Sequence, residues 1–258
     1  MDVIVCAKLA PDPEDIQVKS DGSISLENAE WVIGSFDLQA IEAAVRLAEA
    51  TAGKVTVLTA GPHQVNNSKL KKDLLSRGPH ALVMVVDEAL ASADTALTAA
   101  VLAGAIRKMG GADVALFGEG SADLYFQQTG LQVGERLGWP TLNAVSRIEP
   151  QENSLLIERN LEEEIEVLQV PLPAAISVTV DITTPRLPTM MEILKAGQKP
   201  VTVWTLADLG LEGQAAAKIA TLSVRAPQQV ARKRILIEDA PEEAAQTLAA
   251  YLSKEGLV

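Results

Sequence analysis

The stretch Val114-Ala115-Leu116-Phe117-Gly118-Glu119-Gly120-Ser121-Ala122-Asp123 decides the fold. Its first half is a short apolar run without alternation, which reads as a strand buried on both faces of a parallel sheet. Small residues follow, and a helical pattern over 123–137 comes next. A strand that breaks on glycines and feeds a helix is the unit of an α/β sheet. In such sheets ligands sit beyond the carboxyl ends of the strands.

Working towards the N-terminus, the same unit recurs. Strands are expected at 3–7, 54–60 and 81–86, and helices at 36–52, 64–76 and 94–109. In the 36–52 segment Phe36, Ala40, Ile41, Ala44, Val45, Leu47 and Ala48 share one face at a period near 3.6. Glu42 and Arg46 form an i,i+4 pair on the other face, and Gly53 is the expected stop. Residues 11–33 interrupt the rhythm with two polar alternating segments around Asp21-Gly22, a hairpin signal. The alternation of strand and helix predicts a mainly parallel, doubly wound α/β sheet.

After Pro140 the pattern changes. Strands at 144–148, 155–159, 165–170 and 174–180, joined by short turns, read as antiparallel hairpin additions to the same sheet. Pro185, Pro188 and Pro200 mark an irregular stretch with a short helix at 191–196. Residues 1–206 are expected to form the nucleotide-binding body and 207–258 a C-terminal arm. The arm carries one strand at 234–237 and a helix at 241–254.

Composition sets bounds on function. The 258 residues are 48% hydrophobic but only 3% aromatic, so the core is built from Ala, Val, Leu and Ile. A net charge of −12 argues against nucleic acid as a partner, because phosphate contacts need a cationic face. The same charge reads either as solubility or as steering of a basic partner. Cys6 is the single cysteine, which suits a reducing compartment. Residues 1–7 lack a basic region and a long apolar run, and no stretch approaches the roughly 20 apolar residues of a membrane span. The expected location is the cytoplasm, without membrane insertion.

Three strand ends are rich in small residues: Ala7-Lys8, Ala60-Gly61-Pro62, and residues 118–123. Each alone reads as a tight turn, but all three fall on one sheet edge, where a ligand can approach the backbone. The third leads to Gln127-Gln128-Thr129-Gly130, whose neutral donors near a helix N-terminus suit a phosphate. It is neither a Walker A loop, which needs Lys-Ser/Thr, nor the dinucleotide fingerprint, which needs a third glycine. Asp123 reads equally as a helix N-cap or as a group orienting the ligand. Metal-ligand spacing and a His-centred cluster are missing, so no catalytic residue and no metal site are expected. From these residues alone the chain reads as a soluble α/β protein with a nucleotide-sized site and no obvious catalytic apparatus.

Five segments in order resemble the electron transfer flavoprotein beta subunit. They are residues 5–12 (VCAKLAPD), 36–44 (FDLQAIEAA), 118–130, 172–175 (LPAA) and 185–190 (PRLPTM). The family's usual Asn-Pro before the first helix is Gly34-Ser35 here, its acidic pair after Asp123 is Leu124-Tyr125, and residues 75–80 also differ. These departures resemble the Fix-type branch, linked to carnitine reduction or electron supply for nitrogen fixation. The resemblance implies an adenine nucleotide α-hydrolase-like fold and an electron carrier rather than an enzyme. FAD would be held mainly by an alpha subunit, with AMP or a second FAD in this chain. It implies cofactor contacts at Ala7, Lys8, Ser35, Asp37, Ala60, Gly61, Gly118, Gly120, Ser121, Asp123, Gln127, Gln128 and Thr129. It also implies that Leu187, Pro188, Met190, Met191 and Ile193 dock an acyl-CoA dehydrogenase-like partner or a carnitine-related reductase. A stand-alone nucleotide-binding protein of the universal-stress type explains the sheet and the phosphate loop, but not the hairpins, the proline stretch or the tail.

Overall fold

The computed structural model describes residues 1–213, 217–227 and 232–258. The chain opens with β1 (Val3–Cys6), then β2 (Leu9–Pro11), β3 (Gln17–Val18), β4 (Ile24–Ser25) and β5 (Trp31–Ile33). Next come α1 (Ser35–Thr51), β6 (Val55–Gly61), α2 (Ser68–Ser76), β7 (Ala81–Val86), α3 (Thr95–Lys108), β8 (Val114–Gly118) and α4 (Thr129–Leu137). The second half runs β9 (Thr141–Pro150), β10 (Ser154–Asn160), β11 (Ile165–Pro171), β12 (Ala174–Val178), α5 (Met190–Ala196), β13 (Val201–Trp204) and α6 (Pro241–Lys254).

Nine strands form one sheet in the order β11-β10-β9-β12-β8-β1-β6-β7-β13. Every pair from β9 to β13 across the centre is parallel; β10 alone runs against its neighbours. The chain builds outward from β1 through β6 to β7, then returns to β8 on the other side. The winding therefore reverses between β1 and β8, and a crevice opens there at the carboxyl edge. Side chains alternate across the sheet: Val3 and Val5 pack under α1 and α2, whereas Ile4 and Cys6 pack with Leu102, Ile106 and Val133 of α3 and α4. Both faces are covered, as a parallel sheet requires.

The excursion at 11–33 is paired as expected, with β3 against β4 around Gly22 (φ +79°) and β2 against β5. Several boundaries differ from the expectation, each for a local reason. α1 ends on Ala52 in the left-handed region (φ +52°), not on Gly53. A Cβ on Gly53 would lie 1.8 Å from the Met1 carbonyl oxygen, so that glycine serves the passage of the N-terminus. α2 starts at Ser68 rather than 64, because the Asn67 side chain accepts from the Leu70 N–H and caps it there. α4 starts at Thr129 rather than 123, because Tyr125 (φ +48°) and Gln127 (φ +56°) cannot continue a right-handed helix.

Residues 174–178 are not an antiparallel addition. β12 is parallel to β8 and β9, with every residue buried, which is the signature of a central strand covered on both faces. β13 was not foreseen; it follows Pro200 and adds a parallel edge to β7. The strand expected at 234–237 is absent: Arg234 has φ +46° and Leu236 is 85% exposed, with no ladder to join.

Leu209 and Leu211 pack on the α3 side of the sheet. The Lys218 and Ile219 N–H groups then donate to Asp94 Oδ2, and Ala226 N–H donates to the Gly22 carbonyl. The described tail thus passes from the α3 N-terminus to the tip of the β3–β4 hairpin. No helix among the described residues is long and apolar enough to cross a membrane.

Candidate functional site

A cleft of about 300 Å³ lies at the carboxyl edge, at the reversal between β1 and β8. Ala7 and Lys8 enter it from β1, Ala60 and Gly61 from β6, and Gly118, Glu119, Gly120, Ser121 and Asp123 from the end of β8. Asp37 comes from the first turn of α1, and Gln127, Gln128 and Thr129 from the start of α4. Twelve of the thirteen cofactor contacts implied by the resemblance therefore line one cavity. Ser35 does not line it; it is exposed at the start of α1.

Backbone packing brings these walls together. A Cβ on Gly118 would lie 2.9 Å from the Phe36 carbonyl carbon, so β8 and the start of α1 can touch only through glycine. Phe36 in turn stacks against Tyr125 at 5.1 Å between ring centroids. That contact holds the 121–128 loop over the cleft in place of the helix expected there.

The charges of the cleft are arranged around Lys8. Its Nζ donates to both Asp123 carboxylate oxygens at 2.6 Å. Burial opposes ionisation of Asp123, but hydrogen bonds from Lys8 and Ser121 and the Lys8 charge outweigh it, holding the carboxyl below the usual range. Asp123 also accepts the Leu124 N–H at 2.9 Å, so it orders the loop rather than capping a helix.

Asp37 shows the reverse balance. It is 5% exposed and its Oδ2 has no partner. Burial dominates and pushes its pKa up to about 7, against the lowering influence of the Lys8 backbone and charge. Cys6 lines the cleft from β1 but is buried, and its thiol is driven upward by burial and by Asp37, which suits a packing residue rather than a nucleophile.

Two helix N-termini meet at the opposite wall. Asp94 caps α3 by accepting the Leu97 N–H at 2.8 Å. α4 has no side-chain cap, and its first residues, Thr129 and Gly130, line the cleft, so the positive end of its dipole lies at that wall. Thr95 donates to Gln128 Oε1 at 3.1 Å and accepts from Gln132 at 3.2 Å, tying the two helix starts together. Asp94, Thr95 and Thr98 line the cleft and were missed from sequence. They follow β7, whose end runs into Asp87-Glu88 without the small residues used as the signal elsewhere, and a rule based on strand position alone would have found them. Among the described residues no group of three or more His, Cys, Asp or Glu is placed to hold a metal. His80 Nδ1 accepts the Val55 N–H at 3.1 Å, a structural contact away from the cleft.

The cleft combines the uncapped α4 start, neutral Gln and Thr donors and the Lys8–Asp123 pair with the carboxyl groups of Asp37, Asp94 and Glu119 and an apolar wall from Leu90, Leu102 and Phe126. A cleft at the switch point of a doubly wound α/β sheet is where proteins of this fold class place their ligands. The model of the electron transfer flavoprotein domain matches residues 22–209. The chain belongs to the electron transfer flavoprotein family, whose members are flavin-associated electron carriers rather than enzymes and work with a second subunit and dehydrogenases.

Proposed function

We propose that this chain is the beta subunit of a Fix-type electron transfer flavoprotein in the cytoplasm. It binds an adenine nucleotide, AMP or a second FAD, in the cleft. It shares the redox FAD with an alpha subunit around which residues 207–258 wrap. The observation that carries the nucleotide is the uncapped start of α4 and Lys8 lining one cleft of mononucleotide-like dimensions. Thr129 and the α4 N–H groups would take the phosphate, with Lys8 balancing its charge. Protonated Asp37 would offer a hydrogen bond to the ribose or base. The flavin supplies the electron chemistry; the residues named here bind, orient and exclude water.

The subunit assignment is supported by the ordered segments from 5–12 to 185–190 and by the apolar surface of the tail, where Leu222, Leu236 and Leu257 are exposed. Leu187, Met190, Met191 and Ile193 are exposed on and before α5, with Pro188 half-buried between them. They would dock an acyl-CoA dehydrogenase-like protein or a carnitine-related reductase. Co-expression with an alpha subunit tests the proposal: the expected product is a yellow heterodimer that releases adenine nucleotide on denaturation. A stable colourless monomer that takes up no partner overturns it.

A further inference from the structure

The segment that exposes Leu187, Met190, Met191 and Leu194 is not a loose loop. It is fixed at each end by one cationic side chain. At the front, Arg186 Nε and the Arg186 backbone N–H both donate to Glu42 Oε2, at 2.8 and 3.1 Å. Its Nη1 and Nη2 donate to the two oxygens of Glu49, at 2.8 and 3.1 Å, and Nη2 also reaches Glu42 Oε1 at 3.2 Å. At the back, Lys199 Nζ donates to the Leu75 and Pro79 carbonyls, both at 2.7 Å. Between the ties, Thr189 and Glu192 form a reciprocal capping box that starts α5, and Ala196 is buried against α2.

Glu42 is 3% exposed, an unusual burial for a carboxylate. It is satisfied by Arg46 at 2.7 Å as well as by Arg186. A guanidinium fork spanning two carboxylates fixes direction as well as distance, which an ammonium cannot do. One residue later Leu187 is 87% exposed. The chain thus passes from a side chain tied to two carboxylates to a highly exposed one without an intervening residue, and Pro188 limits the backbone further.

We infer that Arg186 and Lys199 are positioning residues that hold residues 187–198 in one conformation before any partner arrives. The chemistry is a two-point ionic and carbonyl clamp on an apolar docking helix. Pre-ordering of this kind lowers the entropic cost of association. The inference rests on the docking reading for its purpose, but not for its geometry.

Amide hydrogen exchange on the full chain tests the clamp. Arg186→Lys keeps a positive charge beside Glu42 but loses the fork; Lys199→Met removes the rear tie. Each is expected to speed exchange within 187–198 by about tenfold or more while β1, β6 and β8 stay protected. A purely structural role would instead speed exchange throughout. Unchanged exchange in 187–198, or an equal rise everywhere, overturns the inference. If Arg186→Lys does not accumulate folded, Glu49→Gln removes only the exposed half of the fork and is judged by the same local criterion, with a smaller rise. Failure of the docking reading shows separately: Met190→Asp would then leave electron transfer from an acyl-CoA dehydrogenase to the flavin of the assembled heterodimer unchanged, whatever the exchange result.

Discussion

Lys8 and Asp123 join opposite walls of the cleft, with the ammonium 2.6 Å from both carboxylate oxygens. Both side chains are partly exposed, 42% and 35%, so the pair adds no more than about 1 kcal/mol to stability. Its effect is placement: it fixes a cation in the cleft that the uncapped start of α4 also lines. Lys8→Met should therefore weaken AMP or FAD binding about tenfold, the loss of one charge-assisted hydrogen bond. The melting temperature should shift by only a few degrees. Calorimetric titration with each nucleotide measures this, and unchanged affinity removes Lys8 from the site.

Asp37 makes stability depend on pH in a defined direction. Its folded pKa of about 7 stands above its ordinary 3.8, so between these values the folded chain binds the extra proton. The contribution is full below the lower value and is lost as pH rises through the upper one, by up to about 4 kcal/mol. Glu42 and Asp123, held low by their cationic partners against burial, act oppositely at more acidic pH. Asp37→Asn should flatten the decline between about pH 4 and 7 in urea titrations. A decline of the same slope in the variant excludes Asp37 as its source.

Gly118 sets how closely β8 approaches α1. An added methyl would press on the Phe36 backbone at 2.9 Å, and backbone cannot rotate away. Gly118→Ala should cost about 1–3 kcal/mol, the usual penalty of overpacking. It should also loosen the Phe36–Tyr125 contact that shapes the cleft. Denaturant midpoints and nucleotide affinity should fall together. Full affinity at reduced stability would show that the cleft tolerates the displacement.

The parallel core was legible in sequence because short apolar runs such as 81–86 and 114–118 have no other stable use, and both boundaries coincide with β7 and β8. The cleft was legible for a related reason: a reversal of winding places certain strand ends together whatever the loops do. What sequence could not show was conformation decided by distant partners. The start of α4 depends on Lys8 reaching Asp123, over a hundred residues away in sequence, and on Tyr125 finding Phe36. The direction of β12 depends on where β9 lies, a tertiary fact that local alternation does not encode. The residues at 234–237 carry strand propensity, yet a strand needs a neighbour, and the described chain offers none.

Asp94 performs two tasks with two oxygens. Oδ1 caps α3 through Leu97 N–H, and Oδ2 accepts Lys218 and Ile219 N–H at 2.7 and 3.2 Å. These bonds hold its carboxyl below the ordinary range, the Leu97 bond contributing most. Asp94→Ala should cost about 1 kcal/mol through the cap and release the tail at that point. Heteronuclear NMR should show faster exchange of the 218 and 219 amides, and melting should fall by a few degrees. Slow amides in the variant would mean that the tail is held elsewhere.

Met190 bears the docking proposal most directly. It is 73% exposed at the first position of α5, just after the capping box begins, so nothing in the chain depends on its side chain for packing. An exposed methionine is adaptable and apolar, suited to a pocket on a partner. Met190→Asp adds a charge that such a pocket cannot solvate, yet it also favours a helix N-terminus through the dipole. Stability should therefore hold or rise slightly while the KM for an acyl-CoA dehydrogenase partner rises tenfold or more at unchanged flavin content. Met190→Leu, similar in volume, should stay within about twofold. Equal KM values for the Asp and Leu variants would place docking on another surface.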